Sequence, residues 1–155
     1  PEVTAVLADL AVLDFPIMEE RLGKIDPPPP GVAELGAKIA ACDALIIVSP
    51  EYNRGYPGVL KNALDYFFKE YRRTPTAIVT VSDGGHGGVN AWAQLVPVLV
   101  RVGALVISPS LAVSHVDKSF SPEGEAIDQA YVKRTDGMIA ELLWLARRVA
   151  ASGGW

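Results

Sequence analysis

Residues 49–66 read SPEYNRGYPGVLKNALDY, a stretch that places a carboxylate, a phenol, an amide and a guanidinium at consecutive positions. Prolines stiffen both ends of its first half, Tyr52 offers a flat aromatic face with a hydroxyl, and Asn53 offers both a donor and an acceptor. Such a set could hold a planar aromatic ligand with polar edges. The alternative is that Glu51 and Arg54 are solvated and that Tyr52 packs on the core.

A second unusual segment, DGGHGG at residues 83–88, is mostly glycine. Glycine permits positive φ angles and lets the backbone approach a ligand closely. With a helix predicted to begin near Val89, the N–H groups of this segment would form an electropositive nest. The segment does not fit the dinucleotide pattern GxGxxG, and it lacks the Walker lysine. A tight strand-to-helix turn is the alternative interpretation.

Both segments follow predicted strands. Continuous apolar runs indicate strands buried on both faces, whereas apolar residues three and four positions apart indicate amphipathic helices. The predicted strands cover residues 3–8, 44–49, 76–82 and 104–114, the last interrupted near Pro109, and the predicted helices cover residues 32–42, 57–71, 89–102 and 124–151. This alternation predicts an α/β fold with a mainly parallel sheet, in one domain over residues 1–155. Ligands of such sheets bind beyond the carboxyl ends of the strands, where both segments would lie.

Composition narrows the possible partners. The chain has 155 residues, half of them apolar, a formal net charge of −4 and no block of lysine or arginine, which disfavours nucleic acid. Its apolar stretches are shorter than the ~20 residues that span a bilayer, so no membrane segment is expected. The single cysteine, Cys42, cannot form an internal disulfide, and this favours the cytoplasm.

The stretch at residues 49–66 closely resembles the signature of the NADPH-dependent FMN reductases, flavodoxin-like flavoproteins that include quinone, chromate and azo-dye reductases. The signature is a small polar residue, PEYN, a variable pair and PGxLKNAxD. SDGGHGG at residues 82–88 resembles the second, glycine-rich flavin loop of that family, and DLAVLDFPIM at residues 9–18 resembles the loop after its second strand. The resemblance extends over roughly residues 1–125.

The resemblance implies a flavodoxin-like three-layer sandwich that binds FMN at the carboxyl ends of the strands. The isoalloxazine would lie beside the PEYN loop, with Arg54 in a variable position, and the glycine loop would pack against the other side of the ring. The cofactor-binding residues implied in this way are Pro50, Glu51, Tyr52, Asn53, Arg54, Ser82, Gly84, Gly85, His86, Gly87 and Gly88. No catalytic side chain and no metal are implied, because the flavin carries the redox chemistry.

The implied activity is that of an NAD(P)H oxidoreductase, with NADPH or NADH as co-substrate. A hydride would pass from the nicotinamide to the flavin, and electrons would then pass to a quinone, free flavin or a similar small acceptor. The family resemblance also implies a homodimer or homotetramer. Two alternatives are a flavodoxin-type FMN electron carrier and a flavin-free interaction domain that keeps the fold.

Some polar residues near the two loops have plainer interpretations. Lys61, Asn62 and Asp65 belong to the predicted motif helix, and we expect them at caps, on the surface or at a subunit contact. His115 and Asp117 either contact substrate or belong to an ordinary loop.

The amino-terminal part departs from the family pattern. The family begins with a strand and a loop rich in Gly, Ser, Thr and Arg that holds the FMN phosphate at a helix amino end. Residues 3–8 instead match the second strand, and the sequence after them, from Asp9, has no glycine or hydroxyl. The first strand, phosphate loop and first helix are therefore not in this chain, and we expect further residues before Pro1. Otherwise the second and third strands would pair directly, or a partner would supply a strand.

Overall fold

The computed structural model describes residues 3–13, 15–108 and 110–153. Strands are β1 (Leu45–Pro50), β2 (Pro75–Val81), β3 (Leu105–Val106) and β4 (Leu111–Val113); helices are α1 (Leu10–Leu13), α2 (Pro30–Ala41), α3 (Gly58–Asp65), α4 (Val89–Arg101), α5 (Val116–Ser119) and α6 (Gln129–Ala151). Single 3₁₀ turns lie at Leu22–Lys24 and Lys69–Tyr71. The predicted strand at residues 104–114 corresponds to two strands, since β3 ends at Val106 and β4 begins at Leu111, and Pro109 itself lies outside the described residues.

The strands form one parallel sheet, as predicted. β1 pairs with one edge of β2 over its whole length, with Pro50 opposite Val81. On the other edge of β2, β3 pairs with its beginning and β4 with its end, so these two short strands act as one interrupted strand. Because all the pairs are parallel, the carboxyl ends of β1, β2 and β4 meet at one edge of the sheet.

Two hydrophobic clusters cover the opposite faces of this sheet. Ile47 and Ile78 project into the cluster formed with α2, α3 and α4, whereas Ala77 projects into the cluster formed with α6. Side chains alternate between faces along a strand, so the clusters lie on different sides and the architecture is three-layered. On the α6 side, Ile46 and Val48 of β1 stay largely exposed, because α6 packs over β2 and β4.

The predicted strand at residues 3–8 is wrong. These residues have no regular structure, and positions 3–7 are exposed. A strand is stable only when its backbone N–H and C=O groups find partners. No strand in the described part of the chain pairs with this segment, and the outer edge of β1 is no exception.

The motif helix is shorter than predicted. It ends at Asp65, where the prediction continued to residue 71. Tyr66, Phe67 and Tyr71 are all buried, and the Tyr66–Phe67 and Phe67–Tyr71 ring centroids lie 6.3 and 6.1 Å apart. The three aromatic side chains thus pack in one core cluster although the residues lie beyond the end of the helix.

Candidate active site

Three loops begin at the same level at the carboxyl edge of the sheet. The Glu51 N–H donates to the Val81 carbonyl at 3.0 Å, and the Ser82 N–H donates to the Val113 carbonyl at 2.9 Å. These two bonds extend the strand ladders by one residue beyond β1 and β2. The structure therefore brings together the two segments that the sequence singled out, at the edge where parallel sheets bind ligands.

The PEYN loop turns back on itself in a two-residue hairpin. The Tyr52 N–H donates to the Gly55 carbonyl at 2.8 Å, and the Gly55 N–H donates to the Tyr52 carbonyl at 3.0 Å. The two central residues, Asn53 and Arg54, have φ angles of 51° and 65°. Positive φ at both positions defines a type I′ turn, in which asparagine is favoured at the first position but arginine is unusual at the second.

This turn presents its side chains to solvent. Tyr52 is 64% exposed, and Asn53 and Arg54 are exposed as well. The alternative in which Tyr52 packs on the core is therefore wrong. The exposed phenol, amide and guanidinium remain available to a ligand at the end of β1.

The carboxylate of Glu51, a partly exposed residue, reaches the amino end of α4. Its Oε2 accepts from the backbone N–H groups of Asn90 and Ala91 at 2.8 and 3.1 Å, and its Oε1 accepts from the Asn90 side-chain amide at 3.0 Å. The hydrogen bond from the Asn90 side chain is the main reason that the pKa of Glu51 lies below its usual value, with the backbone donors adding to the effect. The expected electropositive nest is thus partly neutralised, since the α4 N–H groups already bind a carboxylate.

A second contact fixes the turn on the same helix. The Gln94 Nε2 donates to the Arg54 carbonyl at 2.7 Å. A Cβ on Gly55 would lie 3.0 Å from Gln94 Oε1, so glycine leaves room for this side chain. The PEYN loop is therefore held to α4 at two points.

The glycine loop has a buried half and an exposed half. Gly87 and Gly88 are buried with φ angles of 59° and 79°, and the Thr80 Oγ1 donates to the Gly87 carbonyl at 2.7 Å. Gly84 and Gly85 are exposed, and no atom lies within 4 Å of a Cβ built on Gly84. Gly87 and Gly88 are thus required by the local packing, whereas the backbone at Gly84 borders open space where a ligand can approach.

The loop after β4 supports the exposed half of the glycine loop. The His115 N–H donates to the Gly84 carbonyl at 3.3 Å, and the Ser82 hydroxyl donates to the same oxygen at 3.0 Å. His115 Nε2 would lie 3.5 Å from a Cβ on Gly85. Of the two histidines, His86 is exposed within the glycine loop and His115 lies beside it, although they are far apart in sequence.

Asn62 has a role that the sequence did not reveal. Its side chain donates to the Pro16 carbonyl at 2.8 Å and accepts from the Met18 N–H at 2.8 Å, and the Tyr66 hydroxyl also donates to the Pro16 carbonyl. Asn62 therefore clamps residues 16–18 onto the motif helix. The spacing of Asp65 and Lys69 on a helix continuing to residue 71 would favour an ion pair between them, but the helix ends at Asp65, and Asp65 pairs with Lys61 instead.

The volume of a cavity does not identify the site. A cavity of about 480 Å³ lies at the opposite edge of the sheet, near the beginning of β2, with Asp43, Glu70, Arg72 and Arg73 in its lining. Its charges are mixed, and it lies away from the carboxyl ends where parallel sheets bind their ligands. We therefore place the candidate site at the loops.

The exposed groups fit the ring end of FMN better than its phosphate end. Tyr52 and Asn53 on one loop and Gly84 and Gly85 on another offer an aromatic face, an amide and open backbone, which suit a flat heteroaromatic ring. After residues 3–8, however, the Asp9 carboxylate already accepts from the Ala11 N–H at 2.9 Å. The residues at this position are therefore unsuited to a phosphate.

The described residues contain neither a cluster of metal ligands nor a membrane-spanning helix. Within residues 3–13, 15–108 and 110–153, no three histidine, cysteine, aspartate or glutamate side chains are grouped so that they could hold a metal ion. In the same part of the chain, no helix combines the length and the apolar character needed to cross a bilayer.

The sequence profile described as NADPH-dependent FMN reductase matches residues 2–118, which include all three loops. The chain belongs to this family. A quinone reductase of Escherichia coli strain K12 is 29% identical over 145 residues, which are 90% of this chain and 77% of that protein. An NAD(P)H-dependent FMN reductase of Schizosaccharomyces pombe is 50% identical over 60 residues, but this match spans only 29% of its length.

A solved structure agrees with this assignment. The FerB flavoenzyme NAD(P)H:(acceptor) oxidoreductase from Paracoccus denitrificans superposes with a TM-score of 0.77 and 26% sequence identity, covering 90% of this chain and 79% of that one. The predicted flavodoxin-like α/β fold and the predicted membership of the FMN reductase family are confirmed.

Proposed function

We propose that this FMN reductase family member is an FMN-dependent NAD(P)H oxidoreductase that reduces quinones, free flavin or similar small acceptors. The observation that carries the proposal is the pairing of the PEYN turn with the glycine loop at the carboxyl edge of the sheet. The relatives support it, since a quinone reductase and FMN reductases are among them. A bound FMN would accept a hydride from the nicotinamide and pass electrons to the acceptor.

Each residue of the site would bind or orient, and none would act as a nucleophile. Tyr52 and Asn53, exposed on a turn held to α4, would contact one part of the ring with an aromatic face and an amide. The backbone at Gly84 and Gly85 would approach the ring closely from the second loop, with open space at Gly84 and the His115 side chain beside Gly85. Arg54 would place a positive charge beside the site, which favours anionic ligands such as the nicotinamide dinucleotide.

We also propose that the active protein is a homodimer or homotetramer and works in the cytoplasm. Cys42 is free and its Sγ donates to the Ile39 carbonyl, which suits a reducing compartment. Light scattering coupled to gel filtration measures the oligomeric state, and a monomeric mass at working concentration would contradict the first part of this proposal.

A visible absorption spectrum of the purified protein tests the activity. We expect a flavin spectrum after addition of FMN, bleaching by NADPH under anaerobic conditions, and return of colour on addition of a quinone. A protein that binds FMN but is not bleached by NADPH or NADH would be an electron carrier. A protein that does not take up FMN would contradict both interpretations.

A further inference from the structure

Helix α4 lacks a cap of its own. Its N-cap residue is Gly88, no acidic residue lies in its first turn, and Gly88 has no side chain that could accept from the free N–H groups. A side chain is also excluded there, because a Cβ would lie 2.8 Å from the Thr80 Cβ and φ is 79°. The same glycine that lets the loop fold tightly over β2 thus leaves the helix uncapped locally.

Glu51 supplies the missing cap from another loop. A helix begins with N–H groups that lack intrahelical partners, and an N-cap side chain ordinarily accepts from the second or third of them. Val89 is the first helical residue, so Asn90 and Ala91 occupy these two positions, and both donate to Glu51 Oε2. A negative charge at this end also interacts favourably with the helix dipole.

The contact joins the two halves of the candidate site. Glu51 directly precedes the turn that exposes Tyr52 and Asn53, and Asn90 follows the glycine loop by two residues. Gln94 on the next turn of α4 binds the Arg54 carbonyl. Through these bonds the helix sets the distance between the PEYN turn and the glycine loop.

We propose that Glu51 is a positioning residue: its carboxylate caps α4 and so holds the glycine loop at the spacing that a flat ring needs, without contacting the ring. The expected effect on flavin binding rests on the proposed function. The hydrogen bonds between Glu51 and α4 do not depend on flavin, so the positioning role and the proposed function can fail separately.

The test compares Glu51→Ala with Glu51→Gln in the full chain. Glutamine keeps a carbonyl oxygen that can accept from both backbone N–H groups, whereas alanine removes every acceptor. Asn90→Ala is a milder variant, since it removes the side-chain bond but keeps both backbone bonds. Far-UV circular dichroism establishes that each variant is folded.

The first readout is amide hydrogen exchange without flavin. We expect exchange over residues 83–92 to be roughly tenfold faster in Glu51→Ala than in the wild type and near the wild-type rate in Glu51→Gln. The second readout is quenching of FMN fluorescence, where we expect the dissociation constant to rise roughly tenfold in Glu51→Ala and to recover in Glu51→Gln. Asn90→Ala should lie between the wild type and Glu51→Ala in both readouts.

Two results would overturn the proposal. One is unchanged exchange in Glu51→Ala, which would show that the carboxylate does not order the loop. The other is a Glu51→Gln protein with wild-type exchange but FMN binding as weak as in Glu51→Ala, which would mean that the charge acts directly on the flavin. If the wild type takes up no FMN, the proposed function fails. The hydrogen-exchange measurement then still decides whether Glu51 orders the glycine loop.

Discussion

Gly87→Ala is expected to destabilise the protein strongly, although it adds one methyl group. Gly87 has φ of 59°, and a left-handed conformation costs a residue with a Cβ ~1–2 kcal/mol. The new Cβ would also lie 2.8 Å from the Ala112 carbonyl carbon and Cβ. Backbone cannot move aside like the end of a side chain, and overpacking of this kind costs ~1–3 kcal/mol.

The two costs together are ~2–5 kcal/mol, from which the lower entropy of the unfolded alanine chain subtracts ~0.5–1 kcal/mol. We therefore expect a net loss of about 1–4.5 kcal/mol. At ~2–4 °C per kcal/mol for a chain of this size, the melting temperature should fall by roughly 2–18 °C. Urea unfolding followed by circular dichroism measures the free energy, and a thermal scan measures the melting temperature.

Gly84→Ala is the matched control in the same loop. No atom lies within 4 Å of the new Cβ, and Gly84 does not have a positive φ. Its stability should stay within about 0.5 kcal/mol of the wild type or rise slightly. Its FMN affinity should fall, because under the proposed function this open backbone approaches the ring.

The pair of variants can refute the reasoning. If Gly87→Ala unfolds within about 0.5 kcal/mol of the wild type, the loop can repack and its left-handed conformation is not required. Equal losses of stability in both variants would show that the exposed half of the loop is as tightly packed as the buried half.

Three further predictions concern the neighbouring loops. Arg54→Gly should be about 1 kcal/mol more stable than Arg54→Ala in urea unfolding, because both lose the guanidinium but only glycine tolerates φ of 65°; equal stability would contradict the strain. Asn62→Ala should cost about 1–2 kcal/mol and speed amide hydrogen exchange at Ile17 and Met18, and unchanged exchange would show that the Asn62 contacts are unnecessary. The pKa of Glu51 is lowered from 4.5 by folding, so its stabilisation should be fully present above pH 4.5 and lost as the pH falls through the lowered value. The difference in melting temperature between the wild type and Glu51→Gln should therefore shrink on acidification, and a difference independent of pH would contradict this origin.

The local pattern of apolar residues was sufficient to predict most of the strands and helices. Four of the predicted elements correspond to β1, β2, α2 and α4, with bounds that differ by one or two residues. These elements have strong signals, since a continuous apolar run marks a strand buried on both faces and a regular apolar spacing marks a helix. The PEYN and glycine loops could also be found in this way, because unusual residue types stand at the ends of such strands.

The failures occurred where a segment depends on partners distant in sequence. Residues 3–8 have the composition of a strand, yet strand formation needs a neighbour, and none of the described strands pairs with them. The motif helix stops at Asp65, and Tyr66 and Phe67, which follow it, are buried in the core against residues distant in sequence. Asn62 and Pro16 are 46 positions apart, so no spacing rule could have paired them.

The sequence by itself determined the alternation of strands and helices, the positions of the two site loops and the resemblance to the FMN reductases, because each depends on residues close together in the chain. Only the tertiary structure decided that the Glu51 carboxylate caps α4, that Tyr52 stays exposed, and that the glycine loop divides into a packed half and an exposed half. These outcomes depend on which donors, acceptors and side chains come into contact when the strands align. Such contacts are set by the packing of the whole sheet and cannot be read from any single segment of the sequence.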